Sequence, residues 1–104
     1  MATRESIEFD FRKALSQADK IDTIANNLNR LSRTEFGGAL QNVSAGWKGD
    51  NANIYLNKGS ALQGKMDGTV KELYAIASDI RTIAKRLHDA EMAALEIALS
   101  REYQ

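Results

Sequence analysis

The second half of the sequence carries an uninterrupted heptad pattern of apolar and small residues. From Tyr55 to Ile97 the pattern advances by alternating steps of four and three residues, through six heptads without a slip. This period keeps one side of an α-helix against a partner helix along its whole length. We therefore predict a long helix over about 51–100. The positions of the pattern are Tyr55, Gly59, Leu62, Met66, Thr69, Leu73, Ile76, Ile80, Ile83, Leu87, Ala90, Ala94 and Ile97.

The first half carries a weaker helical pattern. Apolar residues recur at steps of three and four from Phe11 to Leu28, and proline, which breaks helix interiors, is absent from the chain. Gly37 and Gly38 interrupt the pattern and together cost roughly 2 kcal/mol relative to alanine. We predict a single bent helix over about 8–45 rather than two separate helices.

The start of this first helix is predicted from two features of the N-terminal residues. Ile7, Phe9 and Phe11 alternate with acidic residues, which is more typical of an extended segment than of a helix. Ser6 and Asp10 are both good N-cap residues, so the helix is expected to begin between them.

The strongest turn signal lies between the two helical patterns, at residues 46–50. Gly46 and Gly49 flank Trp47, and Asp50 or Asn51 can cap the helix that follows. Gly49 is expected where the backbones approach, and Trp47 can cover the end of the helix pair. The predicted fold is all-α, a single domain over 1–104 that forms an antiparallel two-helix hairpin.

The hairpin is expected to associate with a partner, giving a four-helix bundle. At 1.5 Å per residue the second helix is roughly 75 Å long and the first nearer 55 Å, so the second should project beyond the first. A flanking row widens the apolar face and contains Leu56, Val70, Ala77, Ala84 and Ala98. The predicted partner interface consists of Tyr55, Leu62, Met66, Leu73, Ile76, Ile80, Ile83, Leu87, Ala94 and Ile97, and the projecting residues are Ala90, Ala94 and Ile97.

The composition argues against several classes of protein. Fourteen basic residues balance fourteen acidic ones, so a nucleic-acid partner is not expected. The chain has no cysteine, and its one histidine, His88, is interpreted as a solvated helix residue, so we expect no metal and no cofactor. Serines such as Ser44 and Ser60 have no base nearby in the sequence. An enzyme with a small-molecule substrate is therefore not expected.

The turn carries a resemblance to a known family. Trp47, Lys48 and Gly49, near the middle of about one hundred residues between two long helices, resemble the motif of the WXG family of type VII secretion proteins. In that family small residues and then an aromatic open the second helix, and Ala52 and Tyr55 occupy those places. Asn51 stands where alanine or serine is usual.

The resemblance implies a function in bacterial type VII secretion. The protein would be exported, or would be the targeting partner of an effector, without a signal peptide; the first residues of the sequence have no apolar signal core. The implied partner is a second copy, a related helical-hairpin protein or the N-terminal domain of an effector, and a secretion ATPase is a further candidate. Trp47 and Gly49 would contribute to the export signal.

One element of the family pattern is missing. Family members often carry a tyrosine followed four residues later by an acidic residue, just after the second helix. Tyr103 is followed only by Gln104, and Tyr74 is followed at that offset by Ser78. We therefore expect a partner to carry this element.

Two other functions remain open on the sequence alone. The hairpin is then either a cytosolic adaptor or chaperone that is not itself exported, or a purely structural coiled-coil protein whose turn contains the motif by chance.

Overall fold

The computed structural model describes residues 2–102, and nearly all of them are helical. Helix α1 spans Arg4–Arg30, a π-helical segment follows over Leu31–Phe36, α2 spans Gly37–Gly46, and α3 spans Asp50–Glu102. No strand occurs among these residues. The all-α class predicted from the sequence periodicity is confirmed.

Helix α1 begins earlier than its sequence pattern predicts. The Ser6 backbone N–H donates to Thr3 Oγ1 at 3.1 Å, and the Thr3 backbone N–H donates to Ser6 Oγ at 3.0 Å. This reciprocal pair is a capping box with serine in place of the usual glutamate, and it starts the helix at Arg4. The prediction of an extended segment with a start between Ser6 and Asp10 is wrong, because Thr3 is the cap and the alternating residues are helical.

The first helical stretch changes its hydrogen-bond spacing one turn before the glycine pair. The Gly37 backbone N–H donates to the carbonyl of Ser32, five residues earlier, and this spacing defines a π turn. Gly37 itself has φ −60° and ψ −40°, which is ordinary right-handed helix. Helical backbone therefore continues through the two glycines, and the irregular segment lies at Leu31–Phe36 instead.

A break of three residues separates α2 from α3. The Asn53 backbone N–H donates to the carbonyl of Gly49 at 3.2 Å, so Gly49 precedes the first turn of α3. Asp50 lies in that first turn, where its negative charge interacts favourably with the positive end of the helix dipole. Gly49 therefore occupies the cap position that was expected at Asp50 or Asn51.

The described residues cluster in two compact units. Unit 1 consists of residues 2–21 and 75–102, and unit 2 consists of Asp22–Tyr74. The helices α1 and α3 each contribute a segment to both units.

In unit 1 the α1 and α3 segments run antiparallel. Glu8 contacts His88, and farther along α1 Asp19 contacts Arg81. The core between the segments is built mainly from small residues, which let two helix axes approach closely. Its buried apolar side chains are Ile7, Ala18, Ala77 and Ala84.

In unit 2 the paired segments are also antiparallel. Tyr74 near the end of the unit contacts Asn26 near its start, and Gly59 packs against Leu40. A methyl group on Gly59 would overlap Leu40 Cδ2, so the absence of a side chain matters here. No residue of α2 is buried. The buried side chains of unit 2 are Ala25, Ser32, Ala52 and Val70.

Candidate interaction surface

The turn motif presents an exposed aromatic pair. Trp47 has extended backbone, with φ −106° and ψ 140°, and its ring meets the ring of Tyr55 edge-on at 5.7 Å between centroids. Trp47 is 54% exposed and Tyr55 62% exposed. The tryptophan therefore does not close a core at this end of unit 2, and much of its surface is free to contact another molecule.

The backbone conformation at position 49 requires a glycine. Its φ is +104°, in the region where a side chain is strained, and it is the one described residue with a positive φ. A methyl group built on Gly49 would meet no atom within 4 Å. The expected reason, a close approach of two backbones, is thus wrong, and the positive φ takes its place.

In unit 1, α3 contacts α1 through the flanking row, while Ile76 and Ile83 of the predicted partner interface remain exposed. Ala77 and Ala84, which belong to the flanking row, are buried. Ile76 and Ile83 stand one residue earlier in the predicted row, and they are 47% and 63% exposed. The small residues contact α1, and the large β-branched residues point to solvent.

The ten residues predicted as a partner interface divide into two groups. Met66, Leu73 and Ile80 are half-buried, so the protein's own fold already covers part of their surface. The other seven are exposed. In unit 2 these are Tyr55 and Leu62, and in unit 1 they are Ile76, Ile83, Leu87, Ala94 and Ile97.

A polar side of α3 makes further contacts to α1 in unit 1. Arg81 Nη2 lies 2.7 Å from Asp19 Oδ1, and His88 Nε2 lies 2.9 Å from Glu8 Oε1. Ile83 and His88 are five residues apart, which places them about 140° apart around the helix axis. Ion pairs and hydrogen bonds thus occupy one flank of the internal contact, while large apolar side chains are exposed on the other.

Unit 2 has its own polar contact, centred on the π-helical segment. The Ser32 hydroxyl is fully buried and donates to Asp67 Oδ1 at 2.9 Å. The Gln63 side-chain amide donates to the Ser32 carbonyl at 2.8 Å. Sequence reasoning missed this cluster, although Ser32, four residues after Leu28, stands at a core position of the helical pattern. Exposed apolar residues of unit 2 also include Ile24, Leu31 and Ile54.

The segment before α1 reaches positions of α3 that were predicted to project. Ala2 lines a shallow cavity together with Glu91, Ala94 and Leu95. The prediction that the end of α3 projects assumed a first helix that begins near Asp10. Because α1 begins at Arg4, the projecting part of α3 is shorter. Ile97, farther along α3, is 55% exposed.

His88 has a more defined environment than a solvated helix residue. Its ring packs against the ring of Phe11 at 4.7 Å between centroids, and its side chain is 19% exposed. The hydrogen bond to Glu8 and then the one to Asp89 raise the pKa of His88 above its ordinary value. Lys85 and then His88 lower the pKa of Asp89 by hydrogen bonding to its carboxylate.

Residues that could support chemistry are scattered. Across residues 2–102, no three histidine, cysteine or acidic side chains cluster closely enough to hold a metal ion. Ser44 and Ser60 line an open groove in unit 2 whose other polar residues include Arg33 and Gln63. Histidine and carboxylate side chains are absent from the described lining of this groove. Among the described helices, none combines the length and the apolar character that a membrane span needs.

Comparison with known proteins finds no relative: no family model matches the chain, and no curated protein or solved structure matches it significantly. A functional assignment therefore depends on the motif at the turn and on the surface of the two units.

Proposed function

We propose that this chain is a non-enzymatic helical interaction protein of the WXG type that acts in bacterial type VII secretion. In this proposal the two helical stretches form a hairpin that pairs with a second hairpin in a four-helix bundle. The second hairpin is another copy, a related small protein or the N-terminal domain of an effector. The complex is then exported by that secretion system.

The observation that carries the proposal is the exposed apolar row of α3 in unit 1. Ile76, Ile83 and Ile97 follow heptad spacing, with Leu87 beside them, and each is about half exposed or more. Scattered apolar residues are normal on a protein surface, but a row at heptad spacing presents the side chains that a partner helix would cover.

Covering this row would contribute a sizeable part of the free energy of association. Burying a large aliphatic side chain completely contributes about 1.5–3 kcal/mol. Because roughly half of each side chain is still exposed, covering the row contributes on the order of 1 kcal/mol per residue. A symmetric pair would gain this twice, which begins to offset the entropy lost when two molecules associate.

The turn supports the secretion part of the proposal. Trp47 is exposed rather than packed into a core, and Gly49, directly before α3, has a positive φ. A recognition element needs an accessible side chain, and the Trp47 ring is accessible while it keeps an edge-on contact with Tyr55. Tyr103, the one tyrosine near the C-terminus, lies outside the described residues.

Sedimentation equilibrium of the purified protein tests association through the row. Ile83→Glu places a charge at the most exposed isoleucine, and we expect it to shift the protein to monomer at concentrations where the natural chain is a dimer. Thr82→Glu is the matched control, because Thr82 is exposed on the same helix and about 100° away around the axis. A natural chain that remains monomeric, alone and with its genomic neighbours, would refute the interface.

Export is tested separately in cells with an active type VII system. Trp47→Phe keeps an aromatic ring against Tyr55, so we expect the helical content to be unchanged and the secreted fraction to fall. Secretion of Trp47→Phe at the natural level would remove Trp47 as a recognition residue. Retention of the natural chain in the cell, with a bound partner exported, would instead support the adaptor function.

A further inference from the structure

His88 makes two contacts that only its protonated form can satisfy together. Nε2 lies 2.9 Å from Glu8 Oε1, and Nδ1 lies 3.0 Å from Asp89 Oδ1. A carboxylate only accepts hydrogen bonds, so each ring nitrogen must donate. The neutral imidazole has one N–H and would leave a lone pair facing a carboxylate oxygen, whereas the imidazolium donates from both nitrogens.

The contacts join two different helices of unit 1. Glu8 is in the second turn of α1, and His88 and Asp89 are in α3. The His88 ring also packs against Phe11, so the same side chain provides an apolar contact and a charged one to α1. His88 therefore connects the N-terminal part of α1 to α3.

The other charged groups around the ring are mostly acidic. Asp10 of α1 and Glu91 of α3 line the same small cavity as His88. A nearby cation is Lys85, whose Nζ lies 2.8 Å from Asp89 Oδ2. The groups facing His88 from the two helices are thus Glu8 and Asp10 from α1, and Lys85, Asp89 and Glu91 from α3.

We propose that His88 is a proton-dependent clamp, which holds the N-terminal part of α1 against α3 when the imidazole is charged and releases it when the proton is lost. The Glu8 contact is the one whose loss would release α1, because it joins the two helices, whereas Asp89 is the next residue in the chain. The nearest buried apolar side chain of α1 is Ile7, which is 3% exposed in the clamped state. Loss of the clamp therefore uncovers apolar surface of unit 1.

The pH range follows from the direction of the pKa change. Glu8 and Asp89 raise the pKa of His88 in the folded protein above the ordinary value of 6.5. A group whose folded pKa is raised stabilises the fold fully below its unfolded pKa, and this stabilisation disappears as the pH rises through the folded pKa. The clamp is closed in mildly acidic solution and opens on the alkaline side.

A proton-carbon NMR titration of the full chain tests the proposal. His88 is the only histidine, so its ring signal is unique, and the same chain in urea supplies the unfolded reference. We expect a folded pKa above the unfolded one, and an inflection of the Ile7 δ-methyl signal at the same pH. A pKa of His88 in the folded chain that is equal to or lower than the unfolded value would overturn the clamp. An Ile7 signal without that inflection would do the same.

Two substitutions separate the clamp from a general electrostatic effect. Glu8→Gln still accepts a hydrogen bond but removes the charge, so the pKa of His88 should fall toward its unfolded value and the Ile7 inflection should move with it. Asp10→Asn is the matched control, because Asp10 lines the same cavity without a hydrogen bond to the ring, and it should move both midpoints less. If both variants have the same effect, or neither has one, the pairing of His88 with Glu8 does not operate the clamp.

Discussion

Removing the hydroxyl of Ser32 should destabilise the protein despite the improved helix propensity of alanine. Ser32 is fully buried in unit 2, where its hydroxyl donates to the Asp67 carboxylate and its carbonyl accepts from Gln63. Ser32→Ala keeps the backbone contact and deletes only the donor to the carboxylate. Asp67 is then left half-buried with one hydrogen bond fewer.

The size of the effect can be worked from these contacts. A hydrogen bond to a charged group contributes about 1.5–3 kcal/mol to stability, and the lower part of this range applies because Asp67 is only half-buried. Alanine is a better helix former than serine by roughly 0.5 kcal/mol, which offsets part of the loss. We expect Ser32→Ala to lower the free energy of unfolding by about 1–2 kcal/mol.

Urea unfolding followed by circular dichroism measures this free energy. Ser78→Ala is the matched control, because Ser78 is an exposed serine inside α3 and should report the propensity gain alone. A double-mutant cycle with Asp67→Asn should give a coupling of about 1 kcal/mol between the two positions. If Ser32→Ala is as stable as Ser78→Ala, the Ser32 to Asp67 contact does not stabilise unit 2 and the reasoning fails.

Two further substitutions test the packing and the helix start. Gly64→Ala should raise the free energy of unfolding by about 1 kcal/mol, since a methyl group there meets no atom within 4 Å. Gly59→Ala should be less stable than Gly64→Ala, because Leu40 must move to make room for the methyl group. Urea unfolding measures the free energy of both variants. Thr3→Ala removes the acceptor of the Ser6 backbone N–H and should lower the free energy of unfolding by about 1 kcal/mol. Amide hydrogen exchange should become faster only in the first turn of α1. An unchanged exchange rate in that turn would show that Thr3 is not the cap.

The heptad pattern was sufficient to predict a long second helix but insufficient to decide which of its rows faces α1. The sequence contains two adjacent apolar rows, one with large residues such as Ile76 and Ile83 and one with Ala77 and Ala84. Large apolar side chains gain most from burial, which favours the isoleucines for the internal contact. The structure does the reverse in unit 1, because small side chains permit a close approach of the helices that isoleucine at the same positions would prevent.

Local hydrogen bonds explain the other differences. The reciprocal pairing of Thr3 with Ser6 is visible as a Thr-x-x-Ser spacing, and it could have been used to place the helix start. The π turn at Leu31–Phe36 has no comparable signal in the sequence, and its Ser32 contacts Gln63 and Asp67 of another helix. Contacts of that kind become visible only when the register between the helices is known.

The arrangement of unit 1 gives the exposed isoleucines a physical interpretation. If α1 and α3 were packed only for their own stability, the largest apolar side chains would lie between them, since those residues gain most from burial. Instead most of the fully buried side chains in the internal contact are alanines, while Ile76, Ile83 and Ile97 remain about half exposed or more on the flank opposite the ion pairs. A second helix pair placed against that flank would cover all three side chains without disturbing Asp19, Arg81, Glu8 or His88. The proposed association and the proposed His88 clamp therefore involve opposite flanks of the same helix, so Ile83→Glu should abolish pairing and leave the pKa of His88 unchanged.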